Sequence, residues 1–345
     1  MTTIVFMDQP VVSFVIPTFN AAKYLPDCLK SIRAQQYPQD RIEIVIADGL
    51  STDETVSIAR QYGAKVVTNH RRDAQIGKAV ALRNSRPDAL FVCLLDADNE
   101  LSAPNWLTEK TRALLEVPDV LGVETNYFPL PHDPPINRVS NLMRNEDPLM
   151  RQLVDVFRDS ISIKGNGYEI LEILPKCLPI FGANGFLWRR DVLFKFFTPD
   201  LESFDEADFS TRVVNNGYRK VIYFKELGIY HHHLSTFPGF IRKRIRNAKE
   251  YIERAGRKKG QDTDVLWTKH RSTTQLVVAI LFCFSFFGPL FQAIVEYRRS
   301  KDWAWFLYPV LAFTGVLVYA LVFLLYHPKD FRPTAEKKLS AQGMA

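Results

Sequence analysis

Short apolar runs alternate with amphipathic stretches through residues 11–121. The apolar runs predict strands over residues 11–16, 42–47, 65–68 and 89–95. Between the first two runs, Leu25, Leu29 and Ile32 recur at the spacing of one helix face. Strands that alternate with helices are typical of parallel βαβ units. The sequence therefore predicts an α/β fold that is doubly wound around a mostly parallel sheet.

The pattern weakens beyond this region and then returns. Ser51-x-x-Glu54 has the capping-box pattern, so a second helix is expected to open there. Seven prolines interrupt residues 129–179, which predicts an irregular insertion with short helices near the acceptor side. Helical spacing over residues 205–215 ends near Gly217, and a strand is expected at 221–224. We expect one α/β domain over residues 1–236.

Two later segments are too apolar for a soluble fold. Residues 272–295 and 303–326 are each 24 residues long and contain no Asp, Glu, Lys or Arg. Roughly 20 apolar residues span a bilayer. The sequence predicts a two-helix transmembrane hairpin over residues 272–326, kinked at Gly288–Pro289, with a short outer loop at 296–302. Because neither span is charged, no intramembrane ion site is expected.

The net charge of +6 is concentrated in one stretch. Residues 237–272 hold eleven Lys or Arg against four acids, directly before the first apolar segment. Anionic headgroups explain this placement better than nucleic acid does. An apolar face formed by Ile241, Ile245, Ala248 and Ile252 predicts a basic interfacial helix within residues 237–271. The central cations are expected to be divided between lipid headgroups and a donor diphosphate: Arg242, Lys243, Arg244 and Arg246.

Flanking charge predicts the topology. The N-terminal residues have neither a basic region nor an apolar core of a cleavable signal. Basic residues before the first span and in the tail at 327–345 place both ends in the cytosol, although the loop at 296–302 is also basic. We expect a multi-pass inner-membrane protein with a cytoplasmic domain. The cysteines lack metal or redox spacing and are expected to be reduced filler: Cys28, Cys93, Cys177 and Cys283.

Polar residues follow three of the predicted strands. Neither G-x-G-x-x-G after the first strand nor G-x-x-x-x-G-K-[ST] is present. Instead, the first strand ends in Pro-Thr-Phe-Asn, the second in Asp48, and the fourth in Asp96-Ala97-Asp98. Ligands of open α/β sheets bind beyond the carboxyl ends of strands. Two carboxylates there suit Mg²⁺ or Mn²⁺ bridging a diphosphate, although an isolated Asp-x-Asp is more often a solvated turn.

Together these features resemble the inverting family 2 glycosyltransferases of the GT-A fold. The resemblance covers about residues 11–249 and follows the family's order. It is carried by VSFVIPTFNAAKYLPDCLKSIRAQQ, IEIVIADGLSTDET, GKAVALRNSRPDALFVCLLDADNEL, GANGFLWRRDVL, and FDEADFSTRVVNNGYRKVIY with IYHHH. It implies a nucleotide-sugar donor, with UDP-sugar as the expected class, and a divalent metal ion.

The resemblance also implies roles along the donor. Pro17 and Thr18 would lie along the nucleoside, and Asp48 would hydrogen-bond the base. Lys78 and Arg83 would face the donor phosphates or the base. For these two cations, a solvated helix face is the alternative interpretation.

At the diphosphate, the resemblance implies that Asp96 reaches the ribose and the metal and that Asp98 is the principal metal ligand. A late histidine often completes this site, and His231 matches that place, with His233 second and an interfacial role as the alternative. Consecutive histidines on an extended segment point to alternate sides, so His231, His232 and His233 cannot all bind one ion.

The run from Phe204 to Phe209 resembles the family's Glu-Asp-x-Asp-Leu with the first two acids exchanged. The second acid of that motif is the general base, which implies Glu206 and leaves Asp205 open. Such a base takes the proton of an acceptor hydroxyl while the anomeric carbon inverts. An ordinary acidic first helical turn is the alternative.

Two acceptors fit this interpretation: a polyprenyl phosphate, or a hydroxyl of a lipid-linked glycan. The expected partners are a nucleotide-sugar, that acceptor and membrane lipids, without nucleic acid; a homo-oligomer stays open. Rival classes are a nucleotidyltransferase, which would need a G-x-G-x-R loop after the first strand, and a catalytically inactive membrane scaffold.

Overall fold

The computed structural model describes residues 9–144, 147–153, 160–174, 181–182, 184–198, 201–257 and 273–326. The chain divides into two compact units. The first unit comprises Met1–Glu146 and Arg151–Ser235, and the second comprises Asp147–Met150 and Thr236–Ala345. Cys177 and the tail at 327–345, for which predictions were made, lie outside the described residues.

The first unit contains a ten-stranded sheet among its described residues. The strands are β1 (Val12–Thr18), β2 (Ile42–Asp48), β3 (Lys65–Thr68), β4 (Phe91–Leu94), β5 (Asn99–Leu101), β6 (Gly122–Phe128), β7 (Ser160–Lys164), β8 (Glu169–Ile173), β9 (Phe186–Arg189) and β10 (Lys220–His231). Their order is β3-β2-β1-β4-β9-β6-β10-β8-β7, and β5 pairs with β10.

The α/β class predicted from the sequence is confirmed. Strands β1 to β4 are mutually parallel, as βαβ units require. The other half of the sheet is mixed, because β9 is antiparallel to β4 and β6, while β6 and β10 are parallel. The carboxyl ends of β1 to β4 therefore all lie on the same side of the sheet.

Helices of the first unit bury both faces of this sheet, as a doubly wound fold requires. The described helices up to residue 235 are, in chain order, α1 (Leu25–Arg33), α2 (Thr55–Gln61), α3 (Ala74–Arg83), α4 (Trp106–Glu116), α5 (Pro135–Leu142), α6 (Pro148–Leu153), α7 (Arg190–Phe196) and α8 (Glu206–Asn215). On one face Phe14 of β1 shares a core with Leu29 of α1 and Trp106 of α4. On the other, Val15 shares a core with Leu82 of α3 and residues of α7 and α8.

Two local predictions were wrong. Ser51 does not cap α2, which begins at Thr55, because the Ser51 hydroxyl donates to Asp48 Oδ1 at 2.6 Å. In the segment 129–179 the short helices α5 and α6 are present, but the antiparallel hairpin of β7 and β8 was missed. This hairpin extends the sheet beyond β10 through β8. Its period-two pattern is brief, and the surrounding prolines concealed it.

The second unit is helical over its described residues. Its helices are α9 (Phe237–Arg257), α10 (Thr273–Phe284), α11 (Phe287–Ser300) and α12 (Tyr308–Leu325), and a 3₁₀ turn, Trp303–Leu307, leads into α12. Together the turn and α12 form the one described helix, Trp303–Leu325, that is long and apolar enough to cross a membrane.

The first apolar segment is not one straight helix. Helices α10 and α11 are bent by 77° across a short break, and together they count as one broken span or a re-entrant loop. The break lies just before the predicted kink at Gly288–Pro289, at Phe286, which has a φ of +61°. The prediction of an outer loop at 296–302 is wrong for most of that range, because α11 remains helical through Ser300.

The apolar face of α9 does not remain free for lipid. Ala248 of α9 is buried with Val318 and Val322 of α12, and Ile245 and Ile252 pack on this cluster. The expectation that Arg244 binds headgroups or a diphosphate was also wrong. Its side chain is fully buried, and Nη1 lies 2.6 Å from Asp147 Oδ2.

Candidate active site

Asp48 is built into the ends of β1 and β2. The parallel register pairs Thr18 with Asp48, and the Thr18 hydroxyl donates to Asp48 Oδ1 at 3.0 Å. The Ser51 backbone N–H donates to Asp48 Oδ2 at 2.9 Å. Both Thr18 and Asp48 are buried. These bonds hold the Asp48 carboxylate in one orientation at the strand ends.

The loops after these strands are joined to each other. Asn20 donates its backbone N–H to the Ser51 hydroxyl at 2.8 Å, and its side-chain Oδ1 accepts from the Thr52 backbone at 2.9 Å. Asn20 has a φ of +49°, a left-handed conformation that asparagine tolerates better than most residues. The Pro-Thr-Phe-Asn run therefore closes a turn against the Asp48 loop.

Helix α3 approaches β1 closely enough to bring Lys78 into the site. A Cβ at Gly77 would lie 2.9 Å from the Pro17 Cβ, which real structures do not tolerate. The helix begins where Asp73 Oδ1 accepts from the Ile76 backbone at 3.0 Å, a side-chain N-cap. Glycine at 77 thus permits the contact that positions its neighbour.

Asn99 organises the Asp96-Ala97-Asp98 turn and was missed by the sequence reasoning. Its Oδ1 accepts from the Asp96 backbone at 3.0 Å, and its own N–H donates to the Asp96 carbonyl at 3.0 Å. Its Nδ2 lies 3.4 Å from Asp98 Oδ1. Asn99 is fully buried. The asparagine that follows the second aspartate was the only available signal.

The β5–β10 pairing brings His231 to Asp98. In the antiparallel register His231 lies opposite Asn99, and the His231 Nε2 is 3.4 Å from Asp98 Oδ1. The rings of His231 and His233 are 4.0 Å apart between centroids. The alternation predicted for the histidine run places His232 elsewhere, against the carboxylates of Glu100 at 3.6 Å and Asp133 at 3.5 Å.

His232 lies between two carboxylates beside the site. Its hydrogen bond to Asp133 raises its pKa, which burial opposes and Glu100 reinforces. For the Asp133 carboxyl, burial acts to raise the pKa, but the bond to His232 and other hydrogen bonds outweigh it and lower the pKa. The imidazole ring of His232 also stacks parallel to the Tyr24 ring, with 6.3 Å between centroids. His232 therefore links the end of β10 to Glu100 and Asp133.

Lys78 is buried and joins two acidic groups distant in sequence. Its ammonium lies 3.6 Å from Asp96 Oδ1 and in direct contact with Glu206 Oε1. Burial alone would lower the pKa of Lys78, but the charges of Asp96 and Glu206 outweigh it and raise the pKa above its usual value. The solvated helix face considered for Lys78 is wrong. Its cation lies among the carboxylates of the site.

The two acids at the start of α8 make different contacts. Asp205 is the N-cap, and its Oδ1 accepts from the Ala207 and Asp208 backbones at 3.1 Å each. Glu206, the first helical residue, contacts Lys78. The side chain of Glu206 is 16% exposed, so it can reach a ligand as well as the lysine.

The start of α8 is attached to α3. The Phe204 backbone N–H donates to the Gln75 carbonyl at 2.9 Å, and the buried Phe204 ring lies 4.5 Å from that of Phe209. This attachment explains how Glu206 reaches Lys78 across 128 residues of sequence.

Arg83 lies at the other end of α3. Its guanidinium donates to the Leu201 carbonyl and stacks over the Phe197 ring at 5.3 Å. Its side chain is exposed, as the helix-face alternative expected. The structure therefore does not bring Arg83 into the contacts that join Lys78, Asp96 and Glu206.

No group of three or more His, Cys, Asp or Glu arranged to hold a metal occurs among the described residues. The Asp98–His231 pair nevertheless provides one oxygen and one nitrogen 3.4 Å apart. That separation suits two neighbouring ligands of one ion, and Mg²⁺ sites in nucleotide enzymes commonly use one or two protein carboxylates plus substrate phosphates. The residues present fit a metal held largely by a diphosphate.

Comparisons with known proteins match the same part of the chain. Residues 13–141 match the family described as Glycosyl transferase family 2. A dolichyl N-acetyl-alpha-D-glucosaminyl phosphate 3-beta-D-2,3-diacetamido-2,3-dideoxy-beta-D-glucuronosyltransferase of Methanococcus voltae is 32% identical over 88 residues, which are 24% of this chain and 27% of that protein. The poly(ribitol-phosphate) beta-N-acetylglucosaminyltransferase TarS of Staphylococcus aureus is 29% identical over 94 residues, 26% of this chain and 16% of that protein. The alignments thus span less than a third of either relative.

A solved structure shares the fold. The mannosyltransferase PcManGT from Pyrobaculum calidifontis, in complex with GDP-Man and Mn²⁺, superposes with a TM-score of 0.52 at 18% identity, covering 92% of this chain and 88% of that chain. At this identity the likeness concerns the fold alone. Residues 13–141 are therefore similar to family 2 glycosyltransferases, and the chain shares the fold of this mannosyltransferase.

Proposed function

We propose that this protein is a membrane-anchored, metal-dependent inverting glycosyltransferase that moves a sugar from a nucleotide-sugar to a hydroxyl of a lipid-linked glycan. One observation carries the proposal. The Lys78 ammonium contacts both Asp96, which follows β4, and Glu206, which opens α8. A donor-side carboxylate and a candidate base therefore lie within reach of one reacting sugar.

The donor would lie along the ends of β1, β2 and β4. Pro17 and Thr18 would line the nucleoside, and Asp48, oriented by Thr18 and Ser51, would accept a hydrogen bond from the base. Asp96 would reach the ribose. Lys78 can exchange its contact with Glu206 for a donor phosphate oxygen, because an ammonium binds either oxygen anion.

Asp98 and His231 would hold Mg²⁺ or Mn²⁺ together with the diphosphate. A bound divalent ion supplies Lewis-acid stabilisation of the negative charge that develops on the leaving nucleoside diphosphate. Asn99 would keep the Asp98 side chain oriented, since its amide lies 3.4 Å from Oδ1. His233, whose ring lies 4.0 Å from that of His231 between centroids, would support the imidazole.

Glu206 would accept the proton of the acceptor hydroxyl while the hydroxyl oxygen bonds to the anomeric carbon. The bond from that carbon to the diphosphate breaks, and the diphosphate leaves with the electron pair. Attack from the opposite face inverts the configuration. Asp205 is occupied by the N–H groups of Ala207 and Asp208, which favours Glu206 as the base.

The second unit would anchor the enzyme at a cytoplasmic membrane face. Support comes from the 23-residue apolar helix Trp303–Leu325 and from the bent pair α10 and α11. A polyprenyl-linked acceptor would then be delivered in the plane of the membrane. The exposed cations of α9, among them Arg242 and Arg246, can contact anionic headgroups while its apolar face packs on α12.

The test is donor turnover and binding by the detergent-purified full chain across UDP- and GDP-sugars, with Mn²⁺, Mg²⁺ or EDTA. We expect metal-dependent release of a nucleoside diphosphate from one donor, abolished in Asp98→Ala. A chain that binds no nucleotide-sugar under any of these conditions would contradict the proposal and favour an inactive membrane scaffold.

The acceptor is tested separately with Glu206→Gln. Loss of transfer supports a hydroxyl acceptor, whose proton must be removed. Retained transfer indicates an acceptor that is already ionised, namely a polyprenyl phosphate, and would overturn the hydroxyl assignment.

A further inference from the structure

Two buried asparagine side chains of α5 converge on a single backbone oxygen. Asn137 Nδ2 donates to the His231 carbonyl at 2.9 Å, and Asn141 Nδ2 donates to the same oxygen at 3.1 Å. Asn137 Oδ1 also accepts from the Leu234 backbone N–H at 3.1 Å. Asn137, Asn141, His231 and Leu234 are all buried. Three hydrogen bonds therefore attach α5 to the chain around the end of β10.

The helix geometry makes this convergence possible. Positions 137 and 141 are four residues apart and so lie on one face of α5, one turn above the other. Ser140, also buried in the same helix, directs its hydroxyl to the Ile136 carbonyl within the helix at 2.9 Å. The side chains of Asn137 and Asn141 are thus directed at β10, whereas the Ser140 hydroxyl is not.

The acceptor oxygen belongs to the last residue of β10. His231 ends the strand, after which the chain leaves the sheet. A buried carbonyl needs a hydrogen-bond partner, and here two amide donors provide it. The same residue directs its imidazole to Asp98, with Nε2 3.4 Å from the carboxylate. Anchoring the backbone at this point limits where the imidazole can lie.

We infer that Asn137 and Asn141 are positioning residues that fix the backbone at His231, and with it the origin of the imidazole, for binding a divalent cation and a nucleoside diphosphate. This inference rests on the proposed function. It assigns a function to α5, which lies in the proline-rich segment 129–179, where the sequence shows no functional motif. Groups that orient a metal ligand typically change metal affinity by about 10- to 100-fold when they are removed.

The experiment measures Mn²⁺ binding together with UDP or GDP, by titration calorimetry on the detergent-purified full chain. Asn137→Asp keeps the side-chain shape and the acceptor for Leu234 but replaces the donor to His231 by an oxygen. Asn141→Ala removes the second donor. Ser140→Ala is the matched control, because it removes a buried polar group of the same helix that does not reach β10.

A spectroscopic signal separates positioning from general stability. Electron spin echo modulation from an imidazole nitrogen reports histidine bound to Mn²⁺. We expect both asparagine variants to raise the half-saturating Mn²⁺ concentration at least tenfold and to weaken this modulation. Ser140→Ala should change neither quantity, whatever it does to the melting temperature.

Unchanged Mn²⁺ affinity and unchanged nitrogen modulation in folded variants would overturn the inference while leaving the proposed function intact. So would the failure of both asparagine variants to fold, since the side chains would then be structural. If the wild-type protein binds UDP and GDP without any dependence on Mn²⁺, the metal-dependent function itself fails, and the inference falls with it.

Discussion

The two units of the molecule treat a buried cation differently. In the first unit, Lys78 is shared between Asp96 and Glu206, whose side chains remain 32% and 16% exposed. In the second unit, Arg244 is fully buried against Asp147, whose carboxylate also accepts from the Tyr319 hydroxyl. The first cluster is open to a ligand, whereas the second is closed on itself.

This difference indicates that buried ion pairs serve ligand binding in the first unit and stability in the second. An ammonium with two partly exposed carboxylates can change partners when a phosphate arrives. A guanidinium enclosed with its carboxylate cannot, and Asp147 Oδ1 additionally accepts from the Leu149 backbone at 2.9 Å. We therefore expect substitutions in the first cluster to affect the reaction and substitutions in the second to affect folding.

The largest expected effect is on turnover. Glu206→Gln removes the proposed base while keeping its size, and general base catalysis typically contributes about 10²- to 10⁴-fold. We expect kcat for transfer to a hydroxyl acceptor to fall within that range, with little change in donor KM. Steady-state kinetics on the two purified proteins measures this. An unchanged kcat would show that the Lys78 cluster is not where the acceptor proton goes.

Breaking the closed cluster should destabilise the protein. Arg244→Met leaves the buried Asp147 carboxylate without its cation. Removing one partner of a buried ion pair lowers the free energy of unfolding by about 3–5 kcal/mol. We expect a clear drop in the denaturation midpoint in detergent. Adding Asp147→Asn should recover part of the loss, because the uncompensated charge is then gone. A single variant as stable as the wild type would contradict the structural role.

A third buried cation sharpens the contrast. Lys110 of α4 donates to the Thr125 hydroxyl at 3.2 Å and lies 3.9 Å over the Trp106 ring. Burial lowers its pKa to about 7, whereas Lys78, beside two carboxylates, has a raised pKa. Burial likewise raises the pKa of Glu124 to about 7.

These two shifts predict a minimum of stability near neutral pH. Glu124 binds its proton more tightly when folded, so its contribution is present below about pH 4.5 and is lost as pH rises towards 7. Lys110 releases its proton more readily when folded, so stability rises again from about pH 7 towards 10.5. Each pKa unit corresponds to about 1.4 kcal/mol, so each limb amounts to a few kcal/mol.

Unfolding of the full chain at several pH values measures this profile. Lys110→Met should abolish the rise above pH 7, and Glu124→Gln should flatten the fall below it. A monotonic profile in the wild type, or one that neither variant changes, would contradict the assignment.

The smallest effect is expected at the helix cap. Asp205→Ala removes the acceptor for the Ala207 and Asp208 N–H groups, and losing such a cap typically lowers the free energy of unfolding by about 0.5–2 kcal/mol. Asp205→Ser should keep most of that stability, since serine also caps helices. We expect the kcat loss in Asp205→Ser to be far smaller than in Glu206→Gln. A loss as large as that of Glu206→Gln would make Asp205 the base instead.

The half of the sheet that contains β1 to β4 was predictable because local patterns determine it. The runs that end at Asp48 and after Leu94 are buried strands, and parallel strands bring their ends to one edge. Asp205 and Glu206 were singled out together from the sequence. Their division into cap and lysine partner depends on side-chain direction at the start of α8, which spacing does not specify.

Long-range contacts explain what the sequence did not reveal. Lys78 reaches Glu206 only because α3 packs on β1 at Gly77 and holds the loop before α8. Asn137 and Asn141 find His231 across 94 and 90 residues. The apolar face of α9 was predicted correctly. Composition does not reveal whether lipid or another helix covers such a face, and here the apolar surface of α12 covers it.

Inversion at the anomeric carbon is the most direct consequence of the proposed single base, Glu206, acting beside Lys78 and Asp96. We would follow the reaction of the wild-type protein with its donor by proton NMR and read the configuration of the newly formed sugar product. An α-linked nucleotide donor should give a β-configured product from the first turnovers. An α-configured initial product would contradict a single-displacement site built from Lys78, Asp96 and Glu206.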